Sequence, residues 1–83
     1  MATDKGVTVL LSASLRDLVP GYDPRTGIRV AVPPGTPVRR LCELVGIPEE
    51  KVRLVFVDGI HGSWEQELKG TERVHLFPAV GGG

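Results

Sequence analysis

The chain has 83 residues, enough for one small domain, and 41% of them are hydrophobic, so a packed core is expected. The formal net charge is zero and no block of lysine and arginine occurs, which argues against a nucleic-acid partner. No apolar run approaches the roughly 20 residues that cross a bilayer, and the N-terminus lacks a signal-peptide pattern. The single cysteine excludes an internal disulfide. These features predict a domain of the reducing cytoplasm with no membrane partner.

The first third of the chain predicts two strands joined by a turn-rich link. Hydrophobic side chains alternate along the first strand at Val7, Val9, Leu11, Ala13 and Leu15. A period of two is the signature of a strand with one buried face. Residues 20–27 are rich in proline, glycine and aspartate, which favour turns. Ile28, Val30 and Val32 then share one face of a second strand, so a hairpin with a long loop is predicted.

A helix is predicted after Pro33-Pro34-Gly35. Thr36 has the side chain of an N-cap, and Pro37 suits the first helical position because proline lacks the amide hydrogen. The helix then carries one apolar stripe, formed by Val38, Leu41, Cys42 and Val45. Gly46 is placed to end the helix in a left-handed conformation, with Ile47 folding back onto it. On this stripe Cys42 is most simply a small buried hydrophobe rather than a sulfur relay.

The second half of the chain predicts two more strands. Residues 52–57 are apolar on both parities, which is typical of a strand buried in the middle of a sheet. Asp58-Gly59 is a turn signal, and residues 60–70 favour a short edge strand or one helical turn, with Trp64 as a core plug. The last strand is predicted over residues 73–78. This order predicts an α+β domain of the β-grasp type, with a mixed sheet of four to five strands, the first and last side by side, and one main helix on one face.

The sequence ends in Gly81-Gly82-Gly83, directly after an apolar run. Because glycine loses more conformational freedom on ordering than any other residue, a glycine tail is a poor way to finish a stable fold. Such a tail suits a carboxylate that enters a narrow active site on another protein. A frayed end or a leftover linker is the alternative interpretation. The predicted organisation is a β-grasp domain over residues 1–80 and a flexible tail over residues 81–83.

The ending over residues 76–83, Leu-Phe-Pro-Ala-Val-Gly-Gly-Gly, resembles that of the MoaD/ThiS ubiquitin-like sulfur carriers. These are the small subunit of molybdopterin synthase and the sulfur carrier of thiamine synthesis. Residues 10–18 resemble the molybdopterin branch, in which a first strand runs into a Leu-Arg-Glu-like segment. The resemblance covers nearly the whole chain, although only the tail motif is specific. It implies a ubiquitin-like fold and a carrier protein rather than an enzyme.

The resemblance also implies the chemistry of the tail. The Gly83 carboxylate would be adenylated with ATP on a ubiquitin-activating-type adenylyltransferase. Sulfur from a sulfurtransferase or cysteine desulfurase would then replace the adenylate and leave a thiocarboxylate that donates sulfur. Gly81 and Gly82 would line the channel of the partner, where close backbone approach leaves no room for side chains. The chain itself would bind no cofactor and no metal, because ATP is held by the partner.

The predicted partner-binding segment consists of residues before the glycines: Phe77, Pro78 and Val80. If Val74 and Leu76 face the helix, strand parity puts His75 and Phe77 on the opposite face of the sheet. An exposed aromatic ring there is a candidate anchor for a partner. The equally weighted alternative is that Phe77 caps the edge of the core. Pro78 would stop further strand pairing and release the tail.

Other reactive or charged residues suggest no site on their own. His61 and His75 lack the spacing of a metal site, and no base is evident for Ser12 or Ser14 as nucleophiles. The basic residues are most simply solvated charges, of which some could meet an acidic partner: Arg39, Arg40, Arg53, Lys69 and Arg73.

Several functions stay open beside the leading hypothesis of a carrier for molybdopterin (molybdenum or tungsten cofactor) synthesis, which implies the large synthase subunit as partner. Ala79 stands where that branch commonly has a second proline, and a triple glycine after Val80 is closer to thiamine carriers, whose partner is thiazole synthase. A ubiquitin-like protein modifier would use the same activated tail. A β-grasp binding domain would use no tail chemistry. An iron–sulfur ferredoxin is excluded because one cysteine cannot supply four cluster ligands.

Overall fold

A computed structural model describes residues 6–79 of the chain. The strands are β1 (Val7–Leu11), β2 (Ile28–Val30), β3 (Thr36–Pro37), β4 (Val52–Val57), β5 (Ile60–His61), β6 (Glu67–Leu68) and β7 (Arg73–Pro78). The helices are α1 (Val38–Val45) and two short 3-10 helices, Ala13–Leu18 and Glu49–Lys51. Over residues 6–79, no helix is long and apolar enough to cross a membrane.

The main sheet has five strands in the order β2-β1-β7-β4-β5, and β3 pairs with β6 in a separate two-stranded sheet. The first and last strands lie side by side, because β1 pairs with β7 in parallel, with Val9 opposite Val74. The pairs β1–β2, β4–β7 and β4–β5 are antiparallel, so the sheet is mixed. With α1 across one face, this is the β-grasp fold that the sequence predicted.

The core lies between α1 and one face of the sheet. Alternate side chains of the two central strands are buried there: Val7, Val9, Leu11, Val74 and Leu76. From the helix side the predicted stripe meets them, with Val38, Leu41 and Cys42 buried and Val45 partly buried. Burying this apolar surface is the main stabilising term, at roughly 25 cal/mol per Å². The predictions for the core face of the helix and for both central strands are confirmed.

The predicted ends of α1 are confirmed in part. Gly46 ends α1 with φ 83°, and Ile47 is buried behind it, as predicted. The start of the helix is different, because Thr36 and Pro37 form β3 and Thr36 Oγ1 donates to Pro33 O at 2.7 Å. The first two amides of α1 donate instead to carbonyl oxygens of the 64–66 loop at 3.0 Å. The predicted N-cap role of Thr36 is therefore wrong, since a tertiary contact satisfies those amides.

The first strand is shorter than predicted. It ends at Leu11, whose amide donates to the Tyr22 hydroxyl at 2.8 Å. Ala13 has φ 50°, which breaks the extended conformation and starts a 3-10 helix. Leu15 is nevertheless buried, because the 3-10 helix returns it to the core. The second strand ends at Val30, and Val32 packs against the core from outside the strand.

β4 lies inside the sheet, between β7 and β5, but it is not buried on both faces, which its apolar sequence had predicted. The middle position belongs to β7, and the outer neighbour of β4 is the two-residue β5. On β4 only Val55 and Val57 are buried, whereas Leu54 is 39% exposed. The strand is therefore apolar on both parities for two reasons: one parity supplies the core, and the other supplies an apolar surface. The turn at Asp58-Gly59 is confirmed, with φ 52° and 82° as in a type I′ hairpin.

One carboxylate is buried at the start of β7. Glu72 is 8% exposed, and its two oxygens accept hydrogen bonds from the amides of Lys69, Gly70 and Thr71 at 2.7, 2.9 and 3.1 Å. Desolvation raises the pKa of this carboxyl, but the backbone hydrogen bonds outweigh it and hold the pKa below its usual value. Glu72 therefore closes the turn between β6 and β7 as an anion.

Candidate functional site

The face of the main sheet opposite α1, here called the open face, carries an apolar surface. The register puts Leu10 of β1 beside His75 of β7, and His75 beside Phe56 of β4. Phe77 lies beside Leu54 one step further along the same pair of strands. Because side chains of paired residues point to the same face, these five form one continuous patch. No helix of the described residues covers it.

Four rings form a chain of contacts on the open face, here called the aromatic strip: Phe77, His75, Phe56 and His61. His75 and Phe77 are stacked, with centroids 4.4 Å apart and planes at 22°. Phe56 meets Phe77 and His61 edge to face at 5.5 and 5.7 Å. These separations are those of favourable aromatic pairs, so the rings hold one another in place. The strip is a preorganised apolar surface rather than a set of loose side chains.

A shallow groove of about 430 Å³ runs along this strip. Its lining comes from three strands and one turn: Leu10, Phe56, Asp58, Gly59, Arg73, His75 and Phe77. The groove is mainly apolar, with charged groups only at the end near Arg73 and Asp58. Such a surface suits a protruding side chain of a partner better than a polar metabolite.

The prediction that strand parity separates β7 into two faces is confirmed. Val74 and Leu76 are fully buried against the helix side, while His75 and Phe77 lie half-buried on the open face. Phe77 contacts other open-face rings rather than the core, which contradicts the alternative that it caps the core edge. Its role as a partner anchor stays a prediction.

β7 ends at Pro78, which pairs with Val52 of β4. One further bond follows, from the Ala79 amide to the carbonyl oxygen of Lys51 at 3.1 Å. Backbone bonding to the β4 side therefore continues one residue past Pro78, and release of the tail by Pro78 stays a prediction. The predicted site residues Val80, Gly81, Gly82 and Gly83 lie outside the described residues, as does the predicted boundary between domain and tail.

Ser12 and His75 are brought together although they lie 63 positions apart in the sequence. The Ser12 Oγ and His75 Nε2 atoms are 2.8 Å apart. Desolvation, with smaller contributions from Arg73 and Arg16, lowers the pKa of His75 below its usual value. A Ser-His-acid triad would also need a carboxylate bonded to Nδ1 of the histidine, and none of residues 6–79 provides one for His75. The pair ties the end of β1 to β7, and desolvation of His75 favours the neutral imidazole on the strip.

Two arginines lie near His75. Arg73 precedes His75 by two residues on β7, and Arg16 lies in the first 3-10 helix, where its Nε donates to Leu11 O at 3.1 Å. Neither forms an ion pair within residues 6–79. The helix side differs, because Arg39 contacts Glu49 and Glu65 at 3.2 and 2.8 Å. Sequence reasoning grouped Arg39 and Arg73 together as solvated charges and missed this difference.

Cys42 behaves as the sequence predicted. It is buried, and burial raises the pKa of its thiol to about 12, so it is not a thiolate at neutral pH. His61 is exposed at the edge strand β5. In the part of the chain that the structure describes, no group of three or more His, Cys, Asp or Glu side chains is arranged to hold a metal ion.

Comparison with known proteins gives two matches. A family described as Mut7-C ubiquitin matches residues 4–81 of the chain. A solved structure from Pyrococcus furiosus, named "Putative molybdopterin converting factor, subunit 1", superimposes with a TM-score of 0.71 and 27% identity. The match covers 92% of this chain and 99% of that one. No curated protein matches the sequence.

Proposed function

Because this chain belongs to the Mut7-C ubiquitin family, we propose that it is a ubiquitin-like sulfur carrier that serves molybdopterin synthesis. The proposal is supported by the similar structure from P. furiosus, whose name assigns it to a molybdopterin converting factor. The reactive group of the proposal is the Gly83 carboxylate.

The proposed reaction has two steps, both carried out on partners. The Gly83 carboxylate attacks the α-phosphorus of ATP on an adenylyltransferase, and pyrophosphate leaves. In the second step a persulfide on a sulfurtransferase or cysteine desulfurase attacks the carbonyl carbon and AMP leaves. A thiol then attacks the donor's sulfur in the resulting acyl disulfide, a new disulfide forms, and the thiocarboxylate is released. The product is a thiocarboxylate whose sulfur is the nucleophile toward the precursor. Adenylation is needed because a carboxylate is a poor electrophile and carries no good leaving group.

The observation that carries the proposal is the continuity of the open face with the tail. Phe77 lies on the aromatic strip and is only two residues from Ala79, the last described residue. A protein that holds the strip therefore also holds the strand from which the tail starts. Phe77, Pro78 and Val80 would contact that protein, and Gly81 and Gly82 would pass through its channel. Docking and delivery of the carboxylate would be one event.

The direct test is adenylation of the purified chain. The chain is incubated with ATP and the adenylyltransferase of the same organism, and the products are examined by intact-protein and fragment mass spectrometry. We expect an acyl-adenylate at Gly83, and conversion of one terminal oxygen to sulfur when the sulfur donor is added. Deletion of Gly82 and Gly83 should abolish both products.

A matched control removes residues 1–3 instead, outside the matched range, and should leave both products unchanged. If the enzyme adenylates a different substrate in the same tube but never this chain, the proposal is wrong. Deletion of Gly82 and Gly83 also tests a β-grasp binding domain without tail chemistry, because such a domain would keep its function.

Two alternatives use the same activated tail and need material from the native host. A protein modifier would be found attached to lysine side chains of other proteins, whereas a carrier would be found as a free thiocarboxylate. Co-purification of the large molybdopterin synthase subunit would support the pathway proposed here. Co-purification of thiazole synthase would assign the chain to thiamine synthesis instead.

A further inference from the structure

We infer that a groove beside Ala79 holds the side chain of Val80, so that the free chain keeps the base of its own tail on its body until a partner takes it. The groove, here called the tail groove, has a volume of about 460 Å³. Its lining consists of Ser14, Leu15, Leu18, Glu50, Lys51, Pro78 and Ala79. It shares no lining residue with the groove of the open face. The inference goes beyond the proposed function, and only its second test uses the adenylyltransferase.

The chain itself runs into the tail groove. One wall comes from the 3-10 helix Ala13–Leu18 and the other from the 3-10 helix Glu49–Lys51. β7 contacts the first of these helices, and the Ala79 amide donates to the carbonyl oxygen of Lys51 at 3.1 Å. Ala79 is therefore fixed against the second wall. Since consecutive Cα atoms are about 3.8 Å apart, Val80 is within reach of the groove with no intervening chain.

One wall of the tail groove keeps an apolar side chain in contact with water. Leu18 is 38% exposed, whereas the nearby Leu15 is buried in the core. Among residues 80–83 only Val80 has a side chain, because the other three residues are glycines. Packing Val80 against Leu18 removes apolar surface of both residues from water, which favours the contact.

The polar part of the lining suits an uncharged occupant. Glu50 and Lys51 carry opposite charges, so together they give the tail groove no net charge that would favour an ion. Neither of them forms an ion pair within residues 6–79. Lys51 can lay its aliphatic stem over Val80 while its ammonium stays in water. A valine side chain therefore fits both parts of the lining.

The tail of the same chain is favoured over a separate protein as the occupant. A separate protein loses translational and rotational freedom when it binds, whereas Val80 is tethered beside the tail groove. The packed tail and the released tail are then two states of the free chain, and a partner that contacts Val80 binds only the released state. The apparent affinity of that partner is lowered by the fraction of chains in the released state.

The first test is NMR spectroscopy of the full isotope-labelled chain without a partner. We expect nuclear Overhauser effects between the methyl groups of Val80 and Leu18, and more restricted backbone motion at Val80 than at Gly82. In Leu18→Gln the Val80 amide should move as freely as that of Gly82. Leu44→Gln makes the same change at an exposed position of α1 and should leave Val80 ordered. Thermal unfolding checks that both variants are folded.

The second test is the adenylation of the same chains by the adenylyltransferase. We expect Leu18→Gln to lower KM about threefold, because more of the free chain is in the released state. The value of kcat should stay unchanged, because the tail is released in the enzyme complex of either chain. Leu44→Gln should change neither constant.

The outcomes of the two tests separate the inference from the proposed function. A Val80 amide as mobile as that of Gly82 in the unmodified chain would overturn the inference. Contacts of Val80 that disappear on dilution would also overturn it, because they would come from the tail of a second copy. An unchanged KM in Leu18→Gln would overturn the competition between the tail groove and the partner. If the chain is never adenylated, the proposed function falls, while the NMR test still decides whether Val80 occupies the groove.

Discussion

The two faces of the main sheet are both apolar, yet they do different things. On the covered face Val9, Val74 and Leu76 are fully buried under α1. On the open face Phe56 of β4 and His75 and Phe77 of β7 occupy the alternate positions of their strands, whose side chains point away from α1, and they stay half-buried. Burial on the first face stabilises the fold, whereas the second face keeps apolar area that folding leaves in contact with water. Substitutions that separate stability from partner binding test this difference.

The largest effect on stability is expected from Leu76→Ala on the covered face. Leu76 is 0% exposed on the central strand, so the change removes buried methyl groups and leaves a cavity. The free energy of unfolding should fall by about 2 to 5 kcal/mol, measured by urea denaturation. The value is large for a domain of this size. A loss below about 0.5 kcal/mol would mean that the helix does not pack on this face as described.

Phe77→Ala should weaken partner binding more than it weakens the fold, the opposite of what is expected for Leu76→Ala. Because the ring is half-buried and contacts only open-face rings, we expect a loss of about 1 kcal/mol in stability. Affinity for the adenylyltransferase should fall about 30-fold, which corresponds to the roughly 2 kcal/mol of an interface hot spot. Isothermal titration calorimetry gives the affinity. Leu44→Ala, at an exposed position of α1, is the control and should change neither quantity substantially.

At acid pH, His75 on the open face and Glu72 in the turn before β7 should lower the free energy of unfolding in two different pH ranges. The pKa of His75 on the open face lies below its unfolded value of 6.5, so its contribution to stability is lost as the pH falls below 6.5. The pKa of Glu72 lies below its unfolded value of 4.5, so its contribution is lost at lower pH, as the pH falls from 4.5 through the folded-state pKa. Both groups bind more protons in the unfolded state, so both losses have the same sign.

Glu72→Gln tests the loss of stability that is expected below pH 4.5. The amide keeps one oxygen acceptor but faces backbone donors with its nitrogen, so stability at neutral pH should fall by about 1 to 3 kcal/mol. The dependence on pH below 4.5 should become flatter, measured by thermal unfolding across the range. His75→Gln should flatten only the dependence of stability on pH just below 6.5. An unchanged acid limb in Glu72→Gln would contradict the anionic role of Glu72.

The smallest effect on stability is expected from Leu54→Lys. Leu54 is 39% exposed on the open face, so a lysine can keep its aliphatic stem over the sheet and its ammonium in water. The free energy of unfolding should change by less than about 0.5 kcal/mol. The same substitution at Leu76 should prevent folding. A stability loss at Leu54 comparable with that at Leu76 would contradict the distinction between the faces.

Local patterns predicted the covered face well. The helical stripe of Val38, Leu41 and Cys42, the end of the helix at Gly46, and the hairpin turn at Asp58-Gly59 are each specified by a few neighbouring residues. The N-cap at Thr36 was wrong because the amides that it was expected to satisfy bond to the 64–66 loop instead. Local propensity cannot anticipate a donor that finds its partner some 25 residues away. The apolar parity of β4 was misread for a related reason, since periodicity does not distinguish a buried face from an exposed apolar one.

By itself, the sequence determined the β-grasp order of elements, the residues of the core and the parity that places Phe77 opposite the helix, because all of these follow from hydrophobic periodicity and glycine and proline chemistry. Only the tertiary structure decided that Ser12 meets His75 and that four rings from three strands join in one strip. It also decided that Arg16 and Arg73 lie near His75 without an ion pair in residues 6–79, while Arg39 is paired. These contacts join residues far apart in the chain. They depend on the register of β7 between β1 and β4, which is set by the packing of the whole core.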